Sequence, residues 1–228
     1  MKFFYYIAAL MLVGCGQVNS TETAKNNGKL YLRTYMWTGM YGSNLDISWI
    51  YLSDDGKIVR NPVHGVNPVD WAKEKTDNAK NTGTYTEKDG KLQISWGDGK
   101  TANWGIEREK GKVTIIDGGI VSEPDAMPAN YRIDGKYAAS TVLPNVANSQ
   151  TLVFQKDGSF SMSNLGTVTT PDVAKAVQDD KAGTYDISGN TLTFKFANGE
   201  VKKSVICIWD MDGEKNLVIN GRYYPQEK

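Results

Sequence analysis

Gly183-Thr184-Tyr185-Asp186-Ile187-Ser188-Gly189-Asn190-Thr191-Leu192-Thr193-Phe194-Lys195-Phe196-Ala197-Asn198-Gly199 has an earlier counterpart, Gly83-Thr84-Tyr85 through Gly99, at a constant offset of 100 residues. Leu192, Phe194 and Phe196 take the places of Leu92, Ile94 and Trp96. In both copies polar and apolar residues alternate at every step from 191 to 196 and from 91 to 96, the pattern of a strand with one buried face. Asp89-Gly90 and Gly189-Asn190 precede these runs, and Asp98-Gly99 and Asn198-Gly199 follow them. Such pairs supply the positive φ of tight hairpin turns. The stretch therefore predicts an antiparallel meander. Tyr85 and Tyr185 each lie on one strand, the alternating run forms the next, and a third follows.

Working outward, further matches keep the same order. Gly28-Lys29 matches Gly135-Lys136 at an offset of 107, and Asp55-Gly56 matches Asp157-Gly158 at 102. Ala72-Lys73 matches Ala174-Lys175 at 102, and Ile116-Asp117-Gly118 matches Ile219-Asn220-Gly221 at 103. The order predicts an internal duplication, with loops absorbing the changes of offset. Two repeats are too few for a solenoid and fit two domains or two halves of one.

The chain of 228 residues allows one large or two small domains. Twelve Tyr, six Trp and six Phe supply a core, while 23 glycines point to hairpins rather than helices. Lys plus Arg equals Asp plus Glu, 26 against 26, without a block of like charge. That balance argues against nucleic-acid binding by bulk electrostatics.

Residues 1–14 read as a targeting segment, with Lys2 ahead of an apolar run that is short for a membrane span. The segment ends Leu12-Val13-Gly14-Cys15, which resembles the lipobox of bacterial lipoproteins. The resemblance implies cleavage before Cys15 and acylation of its thiol and new amine, a lasting membrane anchor. Residues 15–27 then form the lipidated Cys and a polar tether. Residues 16–27 span at most about 40 Å when extended. Gly16 after the Cys, in place of an Asp, favours the outer membrane of the cell envelope. The first repeat is read as 28–121, a linker as 122–130 and the second repeat as 131–225. A short helix is predicted over Asn67-Pro68-Val69-Asp70-Trp71-Ala72-Lys73, with Asn67 as N-cap and Pro68 at the first helical position. Thr170-Pro171-Asp172 predicts its counterpart, with Val173, Ala176 and Val177 on one side.

In the second repeat, Gly135-Lys136-Tyr137, Leu152-Val153-Phe154, Lys156-Asp157-Gly158-Ser159-Phe160, Gly183-Thr184-Tyr185 and Leu192-Thr193-Phe194 resemble the small lipocalin-like domains of bacterial lipoproteins. The first repeat departs from that pattern, with Tyr51-Leu52-Ser53-Asp54-Asp55-Gly56-Lys57-Ile58 at the corresponding turn. The implied fold is all-β: two duplicated antiparallel meanders forming small barrels or sandwiches, each with one short helix. Spacing leaves open whether each repeat closes alone or both share one barrel.

The aromatic residues Tyr31, Tyr35, Trp37, Tyr41, Trp49 and Tyr51 are the candidate ligand-binding set. Tyr31, Tyr35 and Trp37 share strand parity, as do Trp49 and Tyr51. Aromatic rows line ligand cavities, and they also fill ordinary β cores. Trp71, Trp96 and Trp104 read as core. His64 is the single histidine, there is no Gly-x-Ser-x-Gly elbow, and no catalytic, cofactor or metal set is assigned. Cys207, in Val205-Ile206-Cys207-Ile208-Trp209, reads as a buried thiol. Asp210-Met211-Asp212-Gly213 and Asp54-Asp55-Gly56 read as hairpin turns, and Asp179-Asp180 as the solvated end of a helix. The sequence thus leads to the expectation of a lipid-anchored, non-enzymatic envelope protein. Its partners are the membrane and either a small apolar or aromatic ligand or an envelope protein, with no nucleic acid. A structural module of an envelope complex and a hydrolase are the alternatives.

Overall fold

The computed structural model describes residues 27–39, 42–143, 146–169, 174–211 and 213–227. Its first sheet comprises β1 (Gly28–Gly39), β2 (Gly42–Ser53), β3 (Lys57–Arg60), β4 (Thr82–Lys88), β5 (Lys91–Trp96), β6 (Thr101–Glu109), β7 (Lys112–Ile116) and β8 (Gly119–Ser122). Each strand pairs antiparallel with the next, and β8 pairs with β1 to close the barrel. The second sheet comprises β9 (Gly135–Leu143), β10 (Val146–Phe154), β11 (Ser159–Thr169), β12 (Ala174–Ser188), β13 (Thr191–Phe196), β14 (Val201–Met211), β15 (Glu214–Ile219), β16 (Arg222–Tyr224) and β17 (Gln226–Glu227). Its order is the same meander from β9 to β16, with β17 added outside β9. The two sheets are separate, so the repeats do not share one barrel. Ser122, at the start of the expected linker, belongs to the closing strand β8.

The meander recurs bond by bond. Gly83 lies opposite Trp96 and Gly183 opposite Phe196. Tyr85 N–H donates to Gly56 O and Tyr185 N–H to Gly158 O, both at 2.7 Å. Trp96 N–H donates to Lys100 O at 2.8 Å and Phe196 N–H to Glu200 O at 2.9 Å. A Cβ on Gly83 would stand 2.2 Å from Ser95 O, and one on Gly183 would stand 2.0 Å from Lys195 O. Only glycine permits those approaches. The strand register also corrects two of the sequence matches. Tyr31 pairs with Ile50 and Tyr137 with Leu152, so β1 and β9 correspond at an offset of 106 rather than 107. Ala72-Lys73 lies in a helix whereas Ala174-Lys175 lies in β12, so that match has no structural counterpart.

Three apolar clusters hold the chain together. The first barrel encloses Tyr31, Ile50, Ile58, Leu92, Ile94 and Ile116 among others, with Trp96 and Trp104 packed against them. The second sheet encloses an aromatic core that includes Tyr137, Phe154, Phe160, Tyr185 and Phe194. The third cluster is a seam between them. Leu32, Trp49, Tyr51 and Val59 from the outer face of the first barrel meet Val205, Cys207 and Val218 from the outer face of the second. The strands at the seam are thus buried on both faces. That is why Trp49-Ile50-Tyr51-Leu52 and Val205-Ile206-Cys207-Ile208-Trp209 are unbroken apolar runs, in contrast to the alternating strands elsewhere.

Between β3 and β4 the chain leaves the barrel. It forms α1 (Trp71–Asp77) and a short 3₁₀ turn (Ala79–Asn81). The helix starts later than the sequence suggests. Asp70 is the N-cap, its carboxylate accepting from Lys73 N–H at 3.1 Å, and Asn67-Pro68 lies ahead of the helix. Glu74, fully buried, fixes the excursion by accepting from the N–H groups of Val63 and His64 at 2.7 Å each and from Asn78 Nδ2 at 3.1 Å. From the other side, Thr191 Oγ1 accepts from Val66 N–H at 2.8 Å and Asn67 N–H at 3.0 Å. A side chain at Gly65 would meet Thr191 Cγ2 at 2.5 Å, so this loop lies directly on the second sheet.

The expected second helix is absent among the described residues. Residues 174–180 instead pair with β11 in β12, and Asp179 and Asp180 lie on that strand. A seven-residue helix is marginal by itself in water, and an eleven-residue antiparallel register satisfies the same backbone groups. Residues 170–173 lie outside the described residues.

Replacing Glu74 by Ala leaves two N–H donors unpaired under the loop. An unfolding free energy lower by about 2–4 kcal/mol is expected in a denaturant titration. A loss below about 0.5 kcal/mol, the range of ordinary surface changes, rules out this clamp.

Candidate functional site

The six aromatic candidates do not gather into one surface. Tyr31 is inside the first barrel, where desolvation foremost, with Glu123 adding, pushes its phenol up to about 12. Trp49 and Tyr51 are in the seam, with the Tyr51 ring 6.0 Å from that of Trp71. Tyr35 and Trp37 are exposed on the part of the β1–β2 hairpin that outruns the barrel, near Met36 and Leu45. The shared parity of Tyr31, Tyr35 and Trp37 holds along β1, but the barrel ends between them. Tyr41 and Cys15 lie outside the described residues.

His64 Nε2 is 2.7 Å from Asp77 Oδ2 at the surface of the excursion. Among the described residues no group of three or more His, Cys, Asp or Glu side chains is placed to hold a metal ion. Cys207 is buried in the seam, and desolvation pushes its thiol from the ordinary 9.0 up to about 12.

The described residues contain a cup on the inner side of the second sheet, with a volume of about 410 Å³. Leu152, Met162, Phe194, Phe196 and Ile219 form its apolar wall. Lys181, Glu200, Lys202 and Arg222 stand among its polar lining. Register sets different residues at the matching place of the first barrel. Leu92 lies opposite Trp104 there, and Leu192 lies opposite Ser204 in the second sheet. The Trp104 indole, 5.4 Å from that of Trp96, fills what Ser204 leaves open. One pair further on, Ile94 faces Ala102 whereas Phe194 faces Lys202.

The other difference is at the closing strands. Arg33 lies opposite Ser48, and Ala139 lies opposite Gln150 at the matching place. Buried Arg33 plugs the first barrel. Its Nε donates to Ile116 O at 2.9 Å, its Nη2 to Asp117 O at 2.7 Å and its Nη1 to Asp46 Oδ2 at 3.3 Å. It needs Gly119 beside it, where a Cβ would stand 2.6 Å from Arg33 Nε. In the second sheet the large and small residues trade strands. Ile116 pairs with Gly119, Ile219 pairs with Arg222, and the Arg222 guanidinium donates across to Ala139 O at 2.8 Å. Ala139 packs in the second core, and Arg222 is among the residues lining the cup.

The polar side of the cup is ordered. The Tyr224 hydroxyl donates to Gln150 Oε1, and Gln150 Nε2 donates to Asn164 Oδ1 at 2.5 Å. Asn220 accepts from Val205 N–H at 2.9 Å and donates to Ser204 Oγ at 3.0 Å. None of these residues belongs to the sequence-derived candidate set. The signal for them is subtractive. At the offset of 100, Lys202 and Ser204 replace Ala102 and Trp104 on an inward face, where alternation asks for apolar residues.

Three outcomes are expected. Iodoacetamide at pH 8 should leave Cys207 of the folded protein unmodified while labelling the unfolded chain. The raised thiol and the raised Tyr31 phenol stabilise the fold fully below their unfolded-state values. That contribution is lost as pH rises from about 9 towards 12, so chemical stability measured across that window should fall. Ser204→Trp should fill the cup as Trp104 fills the first barrel, giving an equal or higher melting temperature and no access for small apolar molecules to the cup. Rapid native-state labelling of Cys207, or an unfolded Ser204→Trp chain, contradicts the packing described. No family model, curated protein or solved structure matches this chain.

Proposed function

We propose that the chain is a lipid-anchored, non-enzymatic protein of a bacterial envelope that holds a small ligand with an apolar part in the cup of its second sheet. The observation that carries this reading is the cup itself. Its 410 Å³ falls in the roughly 300–1,000 Å³ range of small-molecule sites, and it joins an apolar wall of Leu152, Met162, Phe194, Phe196 and Ile219 to a polar and charged side. The ligand reading thereby moves from the aromatic set of the first repeat to Phe194, Phe196 and their neighbours. The anchor rests on Leu12-Val13-Gly14-Cys15, and the outer membrane on Gly16. The recurring hydrogen bonds around Tyr85 and Tyr185 support reading the two barrels as copies of one lipocalin-like module, of which only the second keeps an open end.

A protein partner is the second reading. Tyr35, Met36, Trp37 and Leu45 favour it, since they expose large apolar side chains on one projecting hairpin.

Native mass spectrometry of the acylated protein released from its own envelope tests both readings. A carrier leaves with a small molecule of reproducible mass, and Ser204→Trp leaves without it. A polypeptide companion lost on Trp37→Ser, with an empty cup, favours the second reading. Cys15→Ser should abolish incorporation of a labelled fatty acid and shift the protein to the soluble fraction. Retained acylation overturns the anchor.

A further inference from the structure

Resting on the reading of the cup as a ligand site, we infer that its ligand is an anionic amphiphile, an apolar body ending in a carboxylate bound by Arg222 and Lys202. The two sheets differ in how their arginines are paired. In the first barrel the plugging guanidinium is neutralised by its own chain. Arg33 Nη1 is 3.3 Å from Asp46 Oδ2, and Arg33 Nη2 is 3.9 Å from Asp117 Oδ2.

Both carboxylates are replaced at the matching places of the second sheet. Asp46 lies opposite Tyr35 in the β1–β2 pair, and at the same step of the β9–β10 pair Asn148 lies opposite Thr141. Asp117 heads the turn between β7 and β8, donating its N–H to Gly105 O at 2.8 Å. Asn220 heads the turn between β15 and β16, donating to Val205 O at 2.9 Å. The arginine is kept, on the other strand, while both of its counter-ions have become amides.

Arg222 is held by neutral acceptors, Ala139 O at 2.8 Å and Asn148 O at 3.4 Å, and has no carboxylate partner among the described residues. Lys202 adds a second uncompensated charge. It lies directly opposite Phe194 on the inward face of β14, with no ion-pair or hydrogen-bond partner among the described residues. Lys202 is exposed, so its ammonium is accessible to an anion entering the cup. Lys181, the third cation of the lining, is shared with Asp179 at 3.5 Å, and Glu200 is the only carboxylate among the lining residues. A bound carboxylate completes at Arg222 the charge pairing that Asp46 and Asp117 provide at Arg33. Its apolar body then covers Leu152, Met162 and the two phenylalanines.

The test is calorimetric titration of the stripped mature chain with decanoate, decanol and decylammonium, which share one tail and differ in head charge. Decanoate should bind at least about tenfold more tightly than decanol, and decylammonium more weakly than either. Lys202→Met and Asn148→Asp should each erase most of that preference while leaving decanol binding in place. The latter restores a counter-charge at an exposed position, so it reads charge rather than folding. Ser204→Trp should abolish binding of all three, which locates the site in the cup. Equal binding of the three probes overturns the carboxylate inference and leaves the cup reading standing. Failure of all three to bind overturns both. A decanoate preference that survives Lys202→Met and Asn148→Asp overturns the assignment to this end of the barrel.

Discussion

The seam formed by Leu32, Trp49, Tyr51 and Val59 against Val205, Cys207 and Val218 is the contact on which the rest depends. It is the place where a two-sheet protein becomes one folded body. Each sheet already buries its inner face, so the seam uses the outer faces of strands that would otherwise be wetted. Burying such side chains stabilises by roughly 1.5–3 kcal/mol each, the usual scale for Val, Leu and similar residues. The same packing fixes β14. Val205 and Cys207 are locked against the first barrel, and the alternate residues Ser204 and Ile206 therefore face the other side of β14. The cup has one wall that cannot shift without opening the seam.

The excursion between β3 and β4 serves the same contact. Val66 and Val69 belong to the seam cluster, and Trp71 packs against it. Glu74 holds the loop from behind, and Thr191 receives it in front. Among the described residues the second sheet has no counterpart at this place, where β11 and β12 pair from Ser159 opposite Thr184 to Thr169 opposite Ala174. One short helix in one copy is thus a feature of the junction rather than of the module. The segment between the barrels is also tied down, since Met127 and Gly189 exchange both of their backbone hydrogen bonds at 3.1 and 2.9 Å.

Local chemistry was the legible part of this sequence. Alternation at 91–96 and 191–196, with glycine-bearing turns on each side, suffices to place the meander, because strand parity and turn geometry are short-range properties. The burial of Cys207 is legible for the same reason, from the unbroken apolar run around it. The helix expected after Thr170 failed because pairing with β11, a contact between separate strands, outweighs local helix signals. The aromatic set failed differently. Its parity is right, but parity does not say where a barrel stops, and β1 continues past the last strand that covers it. The cup was illegible from either repeat alone. It is defined by what Ser204 does not fill, and it emerges only when register sets Ser204 against Trp104.

Arg33 also has a consequence for how the two barrels respond to their surroundings. Within the first barrel it acts as a tethered occupant, whose effective concentration never changes and whose contribution is part of the folding free energy at every dilution. The second sheet has no such guanidinium at the matching position, where Ala139 stands. On the ligand reading proposed above, an occupant of the cup would stabilise by mass action, in proportion to the logarithm of its free concentration above its dissociation constant. One half of the molecule would then have a constant stability and the other a variable one, and because the seam joins them, the supply of that ligand would bear on the persistence of the whole chain.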